Sequence, residues 1–146
     1  MLTALVAGGV IALDQLTKWW ALSALADRTI DLFWTLRLQL THNTGASFSI
    51  ASGSGGLIAI LALAVVVAFI VMGRGLEGRW SAAALGLILG GALSNLLDRA
   101  FRSGSGGFFG GAVVDFIDPQ WWPVFNLADS AIVIGGILLV ITTARE

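Results

Sequence analysis

Residues 124–143 read VFNLADSAIVIGGILLVITT, with Asn126 and Asp129 set into an otherwise apolar run. The stretch matches the roughly 20 residues that a helix needs to cross the hydrocarbon core of a bilayer. A carboxylate inside such a span is costly and marks a functional position by default. Three further runs, residues 1–21, 56–73 and 80–97, are similarly long and apolar. The first is interrupted by Asp14 and Lys18, while the other two are clean. Composition points the same way. Of 146 residues, 57% are hydrophobic and 12% charged, against about 45–50% apolar and about 25% charged in soluble domains. So few charges would leave a water-soluble globule of this size poorly covered. The expected class is an all-α membrane protein: one integral-membrane domain over residues 1–146, with four transmembrane helices.

Several chemistries are excluded at once. A net charge of −1 offers no basic field for nucleic acid. Without cysteine there is no disulfide, no thiol nucleophile and no thiolate metal site, and one histidine rules out a multi-histidine zinc site. No metal or cofactor is expected. What remains is nine carboxylates, some hydroxyls, one lysine and seven arginines.

The short connection between the second and third runs holds Arg74 and Arg79, and Arg145 follows the fourth. The positive-inside rule therefore places both termini in the cytoplasm. Ala24-Leu25-Ala26 resembles a signal-peptide cleavage site, but no basic stretch precedes the apolar run, so a retained first span is expected. The pairs Trp19-Trp20 and Trp121-Trp122 fall at the outer boundary and Trp80 at the inner one, as in an aromatic belt. Gly86 and Gly90 fit a small-xxx-small helix contact.

Between the first two spans, Leu32, Trp34, Leu36, Leu38 and Leu40 alternate with polar residues, which reads as one strand with an apolar face. His42-Asn43-Thr44-Gly45 reads as a turn, with His42 a turn residue rather than a base, and Ala46, Phe48 and Ile50 continue the alternation. A small extracytoplasmic sheet over residues 30–50, resting on the membrane surface, follows. Residues 102–111 are rich in glycine and serine and read as a loop.

The polar residues converge on one side. Asp14 and Lys18 share a helix face at i, i+4; Asn95, Asp98 and Arg99 end the third span; Asn126 and Asp129 begin the fourth; Asn43 and Asp115 lie in the outer segments. Helical rise puts Asp129 about 10 Å below Trp122 and Asp14 roughly 7–8 Å below Trp19, just inside the outer leaflet. Asp14 with Lys18 reads as a structural pair. Two carboxylates close together in a low dielectric cannot both ionise cheaply, so one keeps its proton. Such a pair suits peptide hydrolysis by an aspartic dyad. It also suits a proton relay in a small proton-coupled transporter, and a non-enzymatic lipid-binding scaffold is a third reading.

Five segments narrow the choice. Asp14-Gln15-Leu16-Thr17-Lys18, Asn43-Thr44-Gly45-Ala46-Ser47-Phe48, Gly90-Gly91-Ala92-Leu93-Ser94-Asn95-Leu96-Leu97-Asp98-Arg99, Val113-Val114-Asp115-Phe116 and Phe125-Asn126-Leu127-Ala128-Asp129-Ser130 resemble, in order, the signature boxes of bacterial lipoprotein signal peptidase (signal peptidase II). The resemblance implies an aspartic endopeptidase of the inner membrane that removes signal peptides from diacylglyceryl-modified prolipoproteins, cutting before the lipidated cysteine. It implies four transmembrane helices, a β-cradle and a small helix between residues 98 and 111. It also implies a working monomer with its active site near the outer leaflet, in contact with membrane lipid and inhibited by globomycin-type peptides. By matched position Asp115 and Asp129 are the catalytic pair. Asn43, Gly45, Asn95, Arg99 and Asn126 line the substrate pocket or support the dyad, and Asp14, Lys18 and Asp98 are structural. Ser94 and Ser47 depart from the glycine and alanine usual in that family.

Overall fold

The computed structural model describes residues 1–44, 55–73, 78–104 and 109–144. The chain runs α1 (Leu2–Ala24), β1 (Ile30–Phe33), β2 (Leu36–Asn43), α2 (Gly55–Met72), α3 (Arg79–Phe101), β3 (Val113–Asp118) and α4 (Leu127–Thr143). It is mostly helical, with one antiparallel three-stranded sheet in the order β1-β2-β3.

The four apolar runs are the four helices. α3 is the central one, packed between α1 and α4, and its small residues explain why. A methyl group at Gly86 or Gly90 would meet the Thr3 or Ala7 carbonyl of α1 at 2.8 Å. One at Gly91 would collide with the Ala128 carbonyl of α4, and one at Gly135 would meet the Ala84 carbonyl at 2.8 Å. Backbones can approach this closely only where side chains are absent, which is how small-xxx-small seams join helices in lipid. α2 packs on α3 through Val66, Phe69, Leu85, Leu89 and Ala92, with Ile132 of α4 against the same cluster. Leu5, Leu13 and Leu16 of α1 and Val133, Ile137 and Val140 of α4 face outward. Among the described residues, α3 is long and apolar enough to cross a membrane, and α4 is apolar but shorter.

Three expectations are corrected. The alternating run from Leu32 to Leu40 is not one strand: it folds back at Trp34-Thr35, with Trp34 in the left-handed region (φ 51°) and Phe33 opposite Leu36. His42 and Asn43 are not in a turn but close β2, opposite Val114 and Val113. The sheet also has a third strand, β3, which the segment before the last helix supplies. That sheet rests on the end of α1 through Phe116, Ala21 and Leu25, with Ile30, Leu38 and Leu40 around them. Gly45 and residues 46–50 lie outside the described residues. In the stretch expected to hold a small helix, α3 continues to Phe101 and Gly104 then bridges Gly111. Among its described residues there is no separate helix, and residues 105–108 lie outside them.

Candidate functional site

Local structure brings the polar residues together. β3 carries Asp115 and is buried along nearly its whole length. After β3 the chain doubles back so that Phe125 pairs with Ile117. Val124 and Phe125 are therefore not helical, and α4 begins at Leu127. Asn126 caps it: its Oδ1 accepts from the Asp129 N–H (3.0 Å), while Asp129 Oδ2 accepts from the Asn126 N–H (3.2 Å). This capping box satisfies amides that the first turn leaves free. It also fixes the Asp129 carboxylate at the helix start, beside β3.

Asp115, Asp129, Asn43, Asn95 and Arg99 border one cavity of about 320 Å³, walled by Val65 and Phe69 of α2, Ile88 and Ala92 of α3, Val113, and Ile132 of α4. Each carboxylate is held by amides. Asp115 Oδ1 accepts from Asn126 Nδ2 (2.6 Å) and its Oδ2 from Asn43 Nδ2 (3.0 Å). Asp129 Oδ1 accepts from Asn95 Nδ2 (2.8 Å). Asn126 Nδ2 also reaches Asn95 Oδ1 at 3.1 Å, so one fully buried side chain bridges the surroundings of both aspartates. Burial pushes the Asp115 carboxyl up to about 6, and the neighbouring Asp129 charge adds to the rise, against the hydrogen bonds from Asn43 and Asn126. Arg99 is 8% exposed, its Nη1 has no hydrogen-bond partner among the described residues, and its charge faces Asp115, Asp98 and Asp129.

Beside the cavity is a second polar cluster between α1 and α3. Lys18 Nζ lies 2.7 Å from Asp14 Oδ2 and 2.8 Å from Asp98 Oδ2, and all three side chains are shut off from solvent. Gln15, Ser94 and Arg102 complete it. Gln15 Nε2 donates to Ser94 Oγ and Asp98 Oδ1 (both 3.0 Å), Ser94 Oγ donates to Asp14 Oδ2 (2.7 Å), and Arg102 Nε donates to Asp98 Oδ1 (2.7 Å). Sequence reasoning assigns no role to Gln15 or Arg102 and reads Ser94 only as a departure from a family pattern. The i, i+4 spacing of Asp98 and Arg102 is the available signal for one of them. Among the described residues no group of three or more histidine, aspartate or glutamate side chains is placed to hold a metal ion.

A family model described as signal peptidase (SPase) II matches residues 6–145. The chain belongs to the signal peptidase II family. Similar relatives include the lipoprotein signal peptidase of Rhodococcus jostii, 46% identical over 145 residues, covering 98% of this chain and 72% of that protein. That of Mycobacterium avium is 45% identical over 138 residues, 93% of this chain and 75% of that protein. A solved structure described as a bacterial membrane enzyme superposes with a TM-score of 0.82 at 27% identity, over 99% of this chain and 93% of that one. As a signal peptidase II, this is a membrane peptidase, and the described geometry is what its chemistry has to use.

Proposed function

We propose that this chain is an intramembrane aspartic endopeptidase that cuts diacylglyceryl-modified prolipoproteins before the lipidated cysteine, with Asp115 and Asp129 as the catalytic pair. The observation that carries this reading is the shared cavity. A buried carboxylate, Asp115, and a half-buried one, Asp129, each held by amides and joined through Asn126, border one cavity lined by apolar side chains from three helices. Lipoprotein signal peptidases among the relatives supply the substrate class.

In the proposed reaction the form that turns over is the one in which Asp115, whose carboxyl is pushed up to about 6, still holds the shared proton. Asp129 takes a proton from water, and the oxygen of that water bonds to the scissile carbonyl carbon. Asp115 gives its proton to the carbonyl oxygen, so the tetrahedral intermediate forms without net charge. On collapse Asp129 passes its proton to the leaving amide nitrogen, the C–N bond breaks, and Asp115 recovers its proton from the hydroxyl. Asn43, Asn95 and Asn126 keep the carboxylates aimed, and Arg99 Nη1, buried without a partner among the described residues, donates to a substrate main-chain carbonyl. In this reading all four helices span the inner membrane of a bacterium with both termini cytoplasmic. The chain works as a monomer, with the dyad near the outer leaflet where membrane lipid and substrate enter between helices. Trp80 lies near the start of α3 and the exposed Trp19, Trp121 and Trp122 toward the opposite boundary, the pattern expected of two interfacial belts.

The test is cleavage of a diacylglyceryl-modified prolipoprotein by purified protein in detergent, read as a gel shift with and without globomycin. The expected result is a shift that globomycin, Asp115→Asn and Asp129→Asn each abolish. Turnover by either variant would sink the dyad. Binding without any change in substrate mass would favour a scaffold, and flux across proteoliposomes without proteolysis a transporter.

A further inference from the structure

Each dyad residue is preceded in sequence by a residue whose backbone N–H is held by the buried ion cluster. The Ala128 N–H, one residue before Asp129, donates to Asp14 Oδ1 (2.9 Å). The Val114 N–H, one residue before Asp115, donates to Asp98 Oδ2 (3.2 Å). Lys18 joins the two acceptors. An ammonium has three protons and no acceptor, and Lys18 Nζ has three oxygens around it: Asp14 Oδ2 (2.7 Å), Asp98 Oδ2 (2.8 Å) and Asn95 Oδ1 (2.8 Å). The third contact settles the Asn95 amide. Only its oxygen can face an ammonium, so its NH₂ must face the other way, onto Asp129 Oδ1 at 2.8 Å. The other donor to Asn95 Oδ1, Asn126 Nδ2, sits farther off at 3.1 Å and is shared with Asp115 Oδ1 and the Val114 carbonyl.

From this geometry we infer that Lys18 is a positioning residue of the active site: through Asp14, Asp98 and Asn95 it sets where the two catalytic carboxylates stand relative to each other. The inference rests on the dyad reading and adds to it a residue that never meets substrate. A purely structural ion cluster would hold α1 against α3 and nothing more. Here one arm ends at the backbone before Asp129, one at the backbone before Asp115, and one on Asp129 itself. Buried hydrogen-bonded charges of this kind specify one arrangement more than they add stability, and catalysis depends on sub-ångström placement.

Removing Lys18 alone would leave two buried carboxylates facing each other, so the test uses Asp14→Asn/Lys18→Met. That variant keeps Asp98 paired with Arg102 and leaves an amide oxygen at position 14 able to accept from the Ala128 N–H. Folding is checked by thermal unfolding in detergent, and cleavage of the diacylglyceryl-modified substrate is read as separate kcat and KM. The expected result is a kcat lowered about 100-fold with KM within about threefold, because the residues that line the cavity are untouched. A double-mutant cycle with Asn95→Leu separates positioning from simple stability. If Lys18 acts through Asn95, the cluster variant costs clearly less in the Asn95→Leu background than in the wild type. Full additivity, or a folded cluster variant with wild-type kcat, overturns the inference while leaving the dyad in place. Absence of cleavage by the wild type would instead remove the dyad reading on which it rests. Should the cluster variant not fold, Asn95→Leu alone still decides the third arm: it must lower kcat at least tenfold, and wild-type kcat overturns it.

Discussion

The Asp115→Asn substitution should abolish cleavage and yet make the protein more stable at neutral pH. The magnitude follows from where Asp115 sits. Its side chain is 1% exposed, and its carboxyl is raised from an ordinary 3.8 to about 6. Such a group binds its proton about 3 kcal/mol more tightly in the folded chain than in the unfolded one. Below pH 4 it is protonated in both states and contributes no penalty. Between pH 4 and 6 the folded state binds more protons than the unfolded state, so stability falls as pH rises through that window. Above pH 6 the full penalty of about 3 kcal/mol applies. The substituted side chain cannot ionise and escapes the penalty. It does lose one acceptor, because its NH₂ would face either Asn43 Nδ2 or Asn126 Nδ2 where Asp115 now accepts from both, a cost of about 1 kcal/mol. The variant should therefore be about 1 kcal/mol less stable than wild type at pH 4 and about 2 kcal/mol more stable at pH 8. Equilibrium unfolding in mixed micelles, followed by tryptophan fluorescence at pH 4, 5, 6 and 8, reads the difference directly. A stability difference that does not change with pH would refute the reasoning, whatever its sign. So would a variant that loses ground to wild type as pH rises. A stability gain coupled to lost activity is the usual signature of a strained active-site group.

Other substitutions probe the surroundings. Gly91→Ala would press a methyl on the Ala128 carbonyl and Ile132, whereas Gly136→Ala meets nothing within 4 Å among the described residues. The first should cost about 1–3 kcal/mol and lower kcat by displacing the start of α4, while the second should leave both unchanged in paired unfolding and cleavage assays. Arg99→Leu removes a buried donor that has no partner among the described residues. Loss of the proposed charged hydrogen bond to substrate, about 1.5–3 kcal/mol, should raise KM by at least tenfold in steady-state kinetics. Arg37→Ala breaks the partly exposed pair with Asp118 at 2.7 Å. It should cost under about 1 kcal/mol and leave kcat/KM at the wild-type value.

What could be read in the sequence, and what could not, divides along a physical line. Helices declare themselves through local hydropathy, so residues 56–73 and 80–97 are legible one segment at a time, as is the i, i+4 pairing of Asp14 with Lys18. The sheet is less so, because its signal depends on one face being wet. β2 is half-buried along most of its length and alternates, whereas β3 is buried on both faces and shows no period of two. Hence the strand that carries Asp115 reads as an undefined outer segment. The hairpin turn at Trp34-Thr35 is hidden for a related reason: a tryptophan takes the left-handed position where glycine or asparagine would announce a turn. The site divides in the same way. That Asp14, Asp98, Asp115 and Asp129 gather on one side follows from depth along the helices. That Asp98 joins Asp14 on Lys18 instead of facing the cavity does not, because Lys18 meets Asp98 and Asn95 across about eighty residues of chain. Those contacts exist because Gly86, Gly90, Gly91 and Gly135 let the backbones of α1, α3 and α4 close together. The glycines decide the chemistry of residues they never touch. Widening the α3–α4 seam at Gly91 would pull Asp129 away from Asn95, and the Ala128 N–H away from Asp14, without substituting any polar residue.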